Sequence, residues 1–153
     1  MKVEAKLQNL NDFENKSLLI VDDDNPFRER LARAMEKKGF EVFQAESVQK
    51  GVESVKTKKP GFAVVDLRLA DGNGLDVVKE IQSSNSDSRI IMLTGYGNIP
   101  TAVAAIKEGA IDYLAKRSLK GLSSSTINND LFSKSLRFCS FASSFIHPIW
   151  LLT

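Results

Sequence analysis

At 153 residues the chain has room for one domain with a substantial core. With 42% hydrophobic residues, 26% charged residues and a net charge of +2, it fits a folded globular protein and not a disordered chain or a polycation built for nucleic acid. Cys139 has no second cysteine to pair with, "MKVEAKLQNLNDFENK" lacks the apolar core of a signal peptide, and no run of about eighteen apolar residues occurs, so a reducing, cytoplasmic setting without a membrane span is expected.

Residues 1–16 are polar and read as a lead-in. "SLLIV", 17–21, is a short apolar run, as for a strand buried on both faces. "DDDNPFRERLARAMEKKGF" follows as a helix. Asn25 is its expected cap, Pro26 suits its first position, Phe27, Leu31, Ala34 and Met35 form an apolar stripe, and Gly39 ends it. "FEVFQA", 40–45, alternates like a strand. A helix over 47–59 is capped by Ser47 and halted before Pro60. "GFAVVDL", 61–67, is a further apolar strand that ends in an acid, and "DGNG", 71–74, is turn chemistry. Next come a helix with Leu75, Val78 and Ile81 on one face, the strand "RIIMLTG", the helix "IPTAVAAIKEGA" and the strand "IDYLA". Strand and helix thus alternate from 17 to 116, which predicts an α/β fold with a five-stranded parallel sheet and helices on both faces.

In such sheets functional groups gather beyond the carboxyl ends of the strands. Four of the five predicted strand ends are polar there: Asp22, Asp23 and Asp24 after the first, Asp66 on the third, Thr94 on the fourth and Lys116 on the fifth. Each also has an ordinary reading. Asp24 reads first as a helix cap, Thr94 as a turn residue and Lys116 as a solvated lysine. Asp66, between apolar neighbours, must lie at the strand tip or find partners. Their joint placement is the stronger signal. Close carboxylates repel one another and call for a divalent cation, and all-oxygen donors favour Mg2+, or Mn2+, over zinc. A carboxylate beside such a cation can attack a phosphoryl group, while an ammonium and a hydroxyl hold the transferred oxygens.

"LLIVDDDNPFRERLARAMEKKGF", "VVDLRLADGNGLDVV" and "TGYGNIPTAVAAIKEGAIDYLAK" resemble the receiver domain of two-component response regulators, and among them the redox- and acid-responsive regulators called RegA, PrrA, ActR or RoxR. The resemblance covers about 17–116 and implies a flavodoxin-like (βα)5 fold. It implies Asp66 as phosphoacceptor, and Asp22 and Asp23 as the acidic pair, with Asp23 the direct Mg2+ ligand ahead of Asp22. The Arg68 backbone carbonyl is implied as a further ligand, Thr94 as switch hydroxyl, Tyr113 as aromatic switch and Lys116 as the phosphoryl-binding lysine. A sensor histidine kinase is the implied phosphate source, and a second copy of the chain is a candidate partner. The protein is then a signalling switch with at most autophosphatase activity, and not a metabolic enzyme. For Tyr113 a core aromatic on the last strand stands as the equal alternative.

The resemblance stops at Lys116. Receivers carry proline next, on a typically cis bond; here Arg117 follows, and a trans bond is expected, with Lys116 open to displacement. "RSLKGLSSSTINND" is a poor fifth helix, because Gly121 and a serine cluster interrupt it. Nothing in 117–153 resembles the helix-turn-helix output domain of these regulators, so no direct nucleic-acid binding is expected. An incomplete receiver with an unrelated tail, as a frameshift or a divergent gene end would leave, is the expectation, and residues 129–145 are read either as a stand-in helix or as a disordered tail. His147 and Cys139 read as incidental. Three other functions compete. A receiver-like interaction module that takes up no phosphate fits the missing proline and helix. A metal-dependent phosphoryl-transfer enzyme lacks a second acid/base and a substrate insert, and a flavin site would set acids against the cofactor phosphate.

Overall fold

The computed structural model describes residues 15–95 and 99–116. Five parallel strands form the sheet: β1 (Ser17–Val21), β2 (Glu41–Ala45), β3 (Phe62–Asp66), β6 (Arg89–Thr94) and β7 (Asp112–Ala115). They lie in the order β2-β1-β3-β6-β7. Helices α1 (Asn25–Glu36), α2 (Val48–Lys58), α3 (Gly74–Ser84) and α4 (Ile99–Lys107) connect them. A two-stranded antiparallel ribbon, β4 (Arg68–Leu69) and β5 (Gly72–Asn73), stands between β3 and α3.

The central strands β1 and β3 are buried along their whole length because helices cover both faces. Successive side chains point to opposite sides. Leu18, Ile20, Phe62, Val64, Ile91 and Leu93 pack with Phe27, Leu31 and Met35 of α1. Their neighbours Leu19, Val21, Ala63, Val65, Ile90 and Met92 pack with Val55 of α2, Val77, Val78 and Ile81 of α3, and Ala105 of α4. A period of two on the strands and of 3.6 on the helices therefore meets in two cores, one on each face. Gly51 of α2 sits against Val21 and Val77, where a Cβ would lie 3.1–3.3 Å from their methyl groups. This close approach seats α2 between β1 and α3.

The expected α/β alternation is present in order. Two local details differ. Asp24, not Asn25, caps α1: its backbone is extended, its carboxylate accepts from the Phe27 amide at 3.1 Å, and Asn25 is already the first helical residue. A carboxylate one residue earlier reaches the free amides better than Asn25, whose side chain turns instead to Glu29 and Arg28. The "DGNG" turn is the end of a paired ribbon, with Arg68 opposite Asn73 and Leu69 opposite Gly72. Strands this short carry no periodicity to read. Gly39 (φ 87°) follows α1 and Gly109 (φ 103°) follows α4, both in the left-handed region that glycine tolerates. The Lys116–Arg117 bond, and every expectation about 117–153, lie outside the described residues.

Candidate functional site

The connection from β1 to β2 runs to one side of the sheet and that to β3 to the other, so a crevice opens at the carboxyl ends of β1 and β3. Asp22, just beyond β1, and Asp66, the last residue of β3, stand at its two sides. Both are buried, as are Thr94 at the end of β6 and Lys116 just beyond β7. One carboxylate oxygen each from Asp22, Asp23 and Asp66 lies within 4.8 Å of the others, and Asp23 is exposed to solvent. The strand ends thus gather groups far apart in sequence.

Lys116 occupies the centre. Its Nζ donates to Asp22 Oδ1 at 2.7 Å and to Asp66 Oδ2 at 3.0 Å, and lies 3.9 Å from Asp24 Oδ2. Below it the Phe27 ring offers its face, with the centroid 4.8 Å from Nζ. The Lys116 amide donates to the Thr94 carbonyl at 2.7 Å, which fixes where the lysine leaves the strand. Burial alone would pull the ammonium down, but its hydrogen bonds to Asp22 and Asp66 outweigh this and hold it above its ordinary range. Burial pushes the Asp22 carboxyl up, against the opposing pull of Lys116 and the Asp24 amide.

Asp22 Oδ1 also accepts from the Asp24 amide at 2.8 Å, whereas its Oδ2 is buried with no hydrogen-bond partner among the described residues. An orphaned carboxylate oxygen is costly to bury. Asp66 Oδ1 accepts a 3.3 Å bond from the Arg68 amide. The donor set is therefore all oxygen, anionic and incompletely satisfied, which suits a hard divalent cation such as Mg2+. Asp24 acts as the helix cap that its position suggests.

Tyr113, partly buried on β7, packs against the core on the α3 and α4 side, and its hydroxyl lies 2.8 Å from Thr101 Oγ1 at the start of α4. Its ring thus packs in the core while its hydroxyl is tied to a neighbouring helix. Three supporting residues escape sequence reasoning. Arg28, buried on α1, donates to the Asp22 carbonyl and to Asn25 Oδ1, both at 2.5 Å, and approaches Glu46 at 4.0 Å. Its only signal is a charge beside the apolar stripe of α1. Asp71 in the ribbon turn accepts from the Val48 and Gln49 amides at the start of α2. Nothing in sequence distinguishes it from an ordinary turn acid. Thr101 likewise gives no signal of its own.

The family model "Response regulator receiver domain" matches residues 18–124. The chain is 62% identical over 102 residues to the acid tolerance regulatory protein ActR of Rhizobium meliloti, which covers 67% of this chain and 53% of the relative. It is 58% identical over 102 residues to the photosynthetic apparatus regulatory protein RegA of Cereibacter sphaeroides, covering 67% of this chain and 55% of the relative. The chain thus spans about half the length of these relatives. Among solved structures, a response regulator protein from Burkholderia pseudomallei, crystallised with a phosphorylated aspartic acid, calcium ion and citrate, superposes with a TM-score of 0.68 at 32% identity. That match covers 88% of this chain and 75% of the other.

Proposed function

The chain belongs to the response regulator receiver family, and from that premise we propose that it is a phosphoacceptor switch in which Asp66 takes a phosphoryl group from a sensor histidine kinase. The single observation that carries the reading is the pocket itself: three carboxylates within 4.8 Å, one buried oxygen without a partner among the described residues, and Lys116 Nζ between Asp22 and Asp66. The Burkholderia protein with its phosphorylated aspartic acid and calcium ion supports the same chemistry for a relative.

In this reading Asp22, Asp23, Asp66 and the Arg68 carbonyl hold Mg2+, which when bound offsets the negative charge that gathers as a phosphoryl group nears the carboxylates. An Asp66 oxygen attacks phosphorus, the N–P bond of the kinase phosphohistidine breaks as the new O–P bond forms, and the imidazole leaves with the electron pair. Lys116 is placed to take the transferred oxygens by charge-assisted hydrogen bonds. The Thr94 hydroxyl, at the neighbouring strand end, is the second donor. Tyr113 then exchanges its bond to Thr101 for an inward position, changing the surface beside α4. The balanced charge of the body supports signalling through protein contacts and not direct contact of these residues with DNA. Residues 17–116 form the receiver unit in this reading.

The test is the intact mass after incubation with a small phosphodonor. Wild type gains a phosphate adduct with Mg2+ and none with a chelator, and Asp66→Asn gains none in either. A folded, Mg2+-binding wild type that takes no adduct reverses the conclusion in favour of an interaction module without phosphate chemistry.

A further inference from the structure

The ribbon that carries Arg68 is fastened at both ends. At its base the Gly74 amide donates to the Leu67 carbonyl at 2.9 Å, and Gly74 lies so close to the Asp66 carbonyl that a Cβ would overlap it. At its tip Asp71 spends both carboxylate oxygens on α2, accepting from Val48 N at 2.8 Å and from Gln49 N at 3.1 Å. Gly72 packs beside the Val48 side chain, and Leu69 is buried in the core that includes Val48. Helix α2 already has a cap of its own, since Ser47 Oγ accepts from the Lys50 amide at 3.2 Å. The Asp71 contact adds two hydrogen bonds to the side-chain packing between these two connections.

We propose that Asp71 is a positioning residue for the cation site: it pins the ribbon tip to α2 and so fixes the Arg68 backbone between two restrained points. This rests on the reading of Arg68 as a ligand given above. An aspartate suits the role because each oxygen takes one amide, so that the turn is held in orientation as well as distance, and its charge complements the helix N-terminus. Supporting contacts of this kind orient ligands that they do not themselves supply. Without the clamp, the Arg68 carbonyl would have to be ordered at the moment of binding, and affinity would fall by that ordering cost.

The experiment is Mg2+ titration by calorimetry on the full chain, comparing wild type, Asp71→Ala, Asp71→Asn and Ser47→Ala. Ser47→Ala removes the cap that is unconnected to the ribbon. Asp71→Ala is expected to weaken Mg2+ about tenfold, Asp71→Asn by less because one acceptor oxygen remains, and Ser47→Ala not at all, although it also lowers stability. Equal weakening by Ser47→Ala and Asp71→Ala, or none by either, overturns the proposal. Wild type that binds no Mg2+ overturns the cation site and this proposal together, whereas tight binding in wild type and Asp71→Ala alike removes only the clamp. Amide exchange of wild type supplies a readout independent of the variants. Mg2+ is expected to slow exchange at Val48 and Gln49, and unchanged exchange there contradicts the coupling.

Discussion

Lys116 and Asp22 carry the largest electrostatic stake of any residues in the pocket. Each is buried, and they meet in a 2.7 Å ion pair that Lys116 also shares with Asp66 at 3.0 Å. A buried pair adds little net stability over an apolar pair, but removing one partner strands the other. Lys116→Met is therefore expected to lower metal-free stability by about 3 kcal/mol, because Asp22 and Asp66 are left facing each other without the ammonium. Added Mg2+ should recover part of that loss, since the cation then supplies the missing positive charge. Urea unfolding of the variant with and without Mg2+ checks this, and an equal deficit in both conditions counts against the shared pocket. Arg28 belongs to the same scale. It holds the Asp22 carbonyl from α1, just before the exposed Asp23, and so steadies the turn on which both acids sit.

At the scale of elements, the device that places each group is a cap or a turn. Asp24 starts α1 directly after the acidic pair, so the end of β1 and the start of α1 share three consecutive acids with separate tasks. Asp71 does the equivalent work for α2 from outside the helix. Its two backbone hydrogen bonds hold its carboxyl below the ordinary value of 3.8. A carboxyl depressed on folding contributes stability that is fully present above the unfolded value and is lost as pH falls through the folded one. The stability advantage of wild type over Asp71→Asn should thus shrink as pH falls from about 5 to about 2. Thermal melts of both proteins across that range test it, and a constant gap would place the contact elsewhere. α1, α2 and the main strands were legible because their periodicity and end residues agree with their burial. The ribbon was not legible, because two-residue strands and a "DGNG" turn look alike without their pairing partners.

For the whole molecule, the consequence of the proposed cation site at the ends of β1 and β3 is linkage. Anything that binds only the folded chain stabilises it in proportion to the logarithm of its concentration. At about a hundred times its dissociation constant, Mg2+ should raise unfolding stability by about 2.7 kcal/mol, a chelator should reverse the gain, and Asp23→Asn, which alters the exposed carboxylate of the cluster and spares the core, should lose most of it. Denaturant titrations with and without Mg2+ measure all three. The same gain in Asp23→Asn would remove Asp23 from the site.

The sequence by itself determined the strand–helix alternation, the two-sided core and the residues that stand at the strand tips. These follow from local hydrophobic period, helix caps and the rule that a parallel α/β sheet displays its loops at one end. Asp22, Asp23, Asp66, Thr94 and Lys116 could be named from it because each stands at or within two residues of the end of an apolar run. Tertiary structure alone decided which oxygen of Asp22 meets Lys116 and which has no partner among the described residues, that Arg28 turns inward, that Tyr113 meets Thr101, and that Asp71 reaches α2. Those contacts join segments from different connections. Their distances depend on strand order and register, which the one-dimensional pattern of apolar and polar residues does not contain.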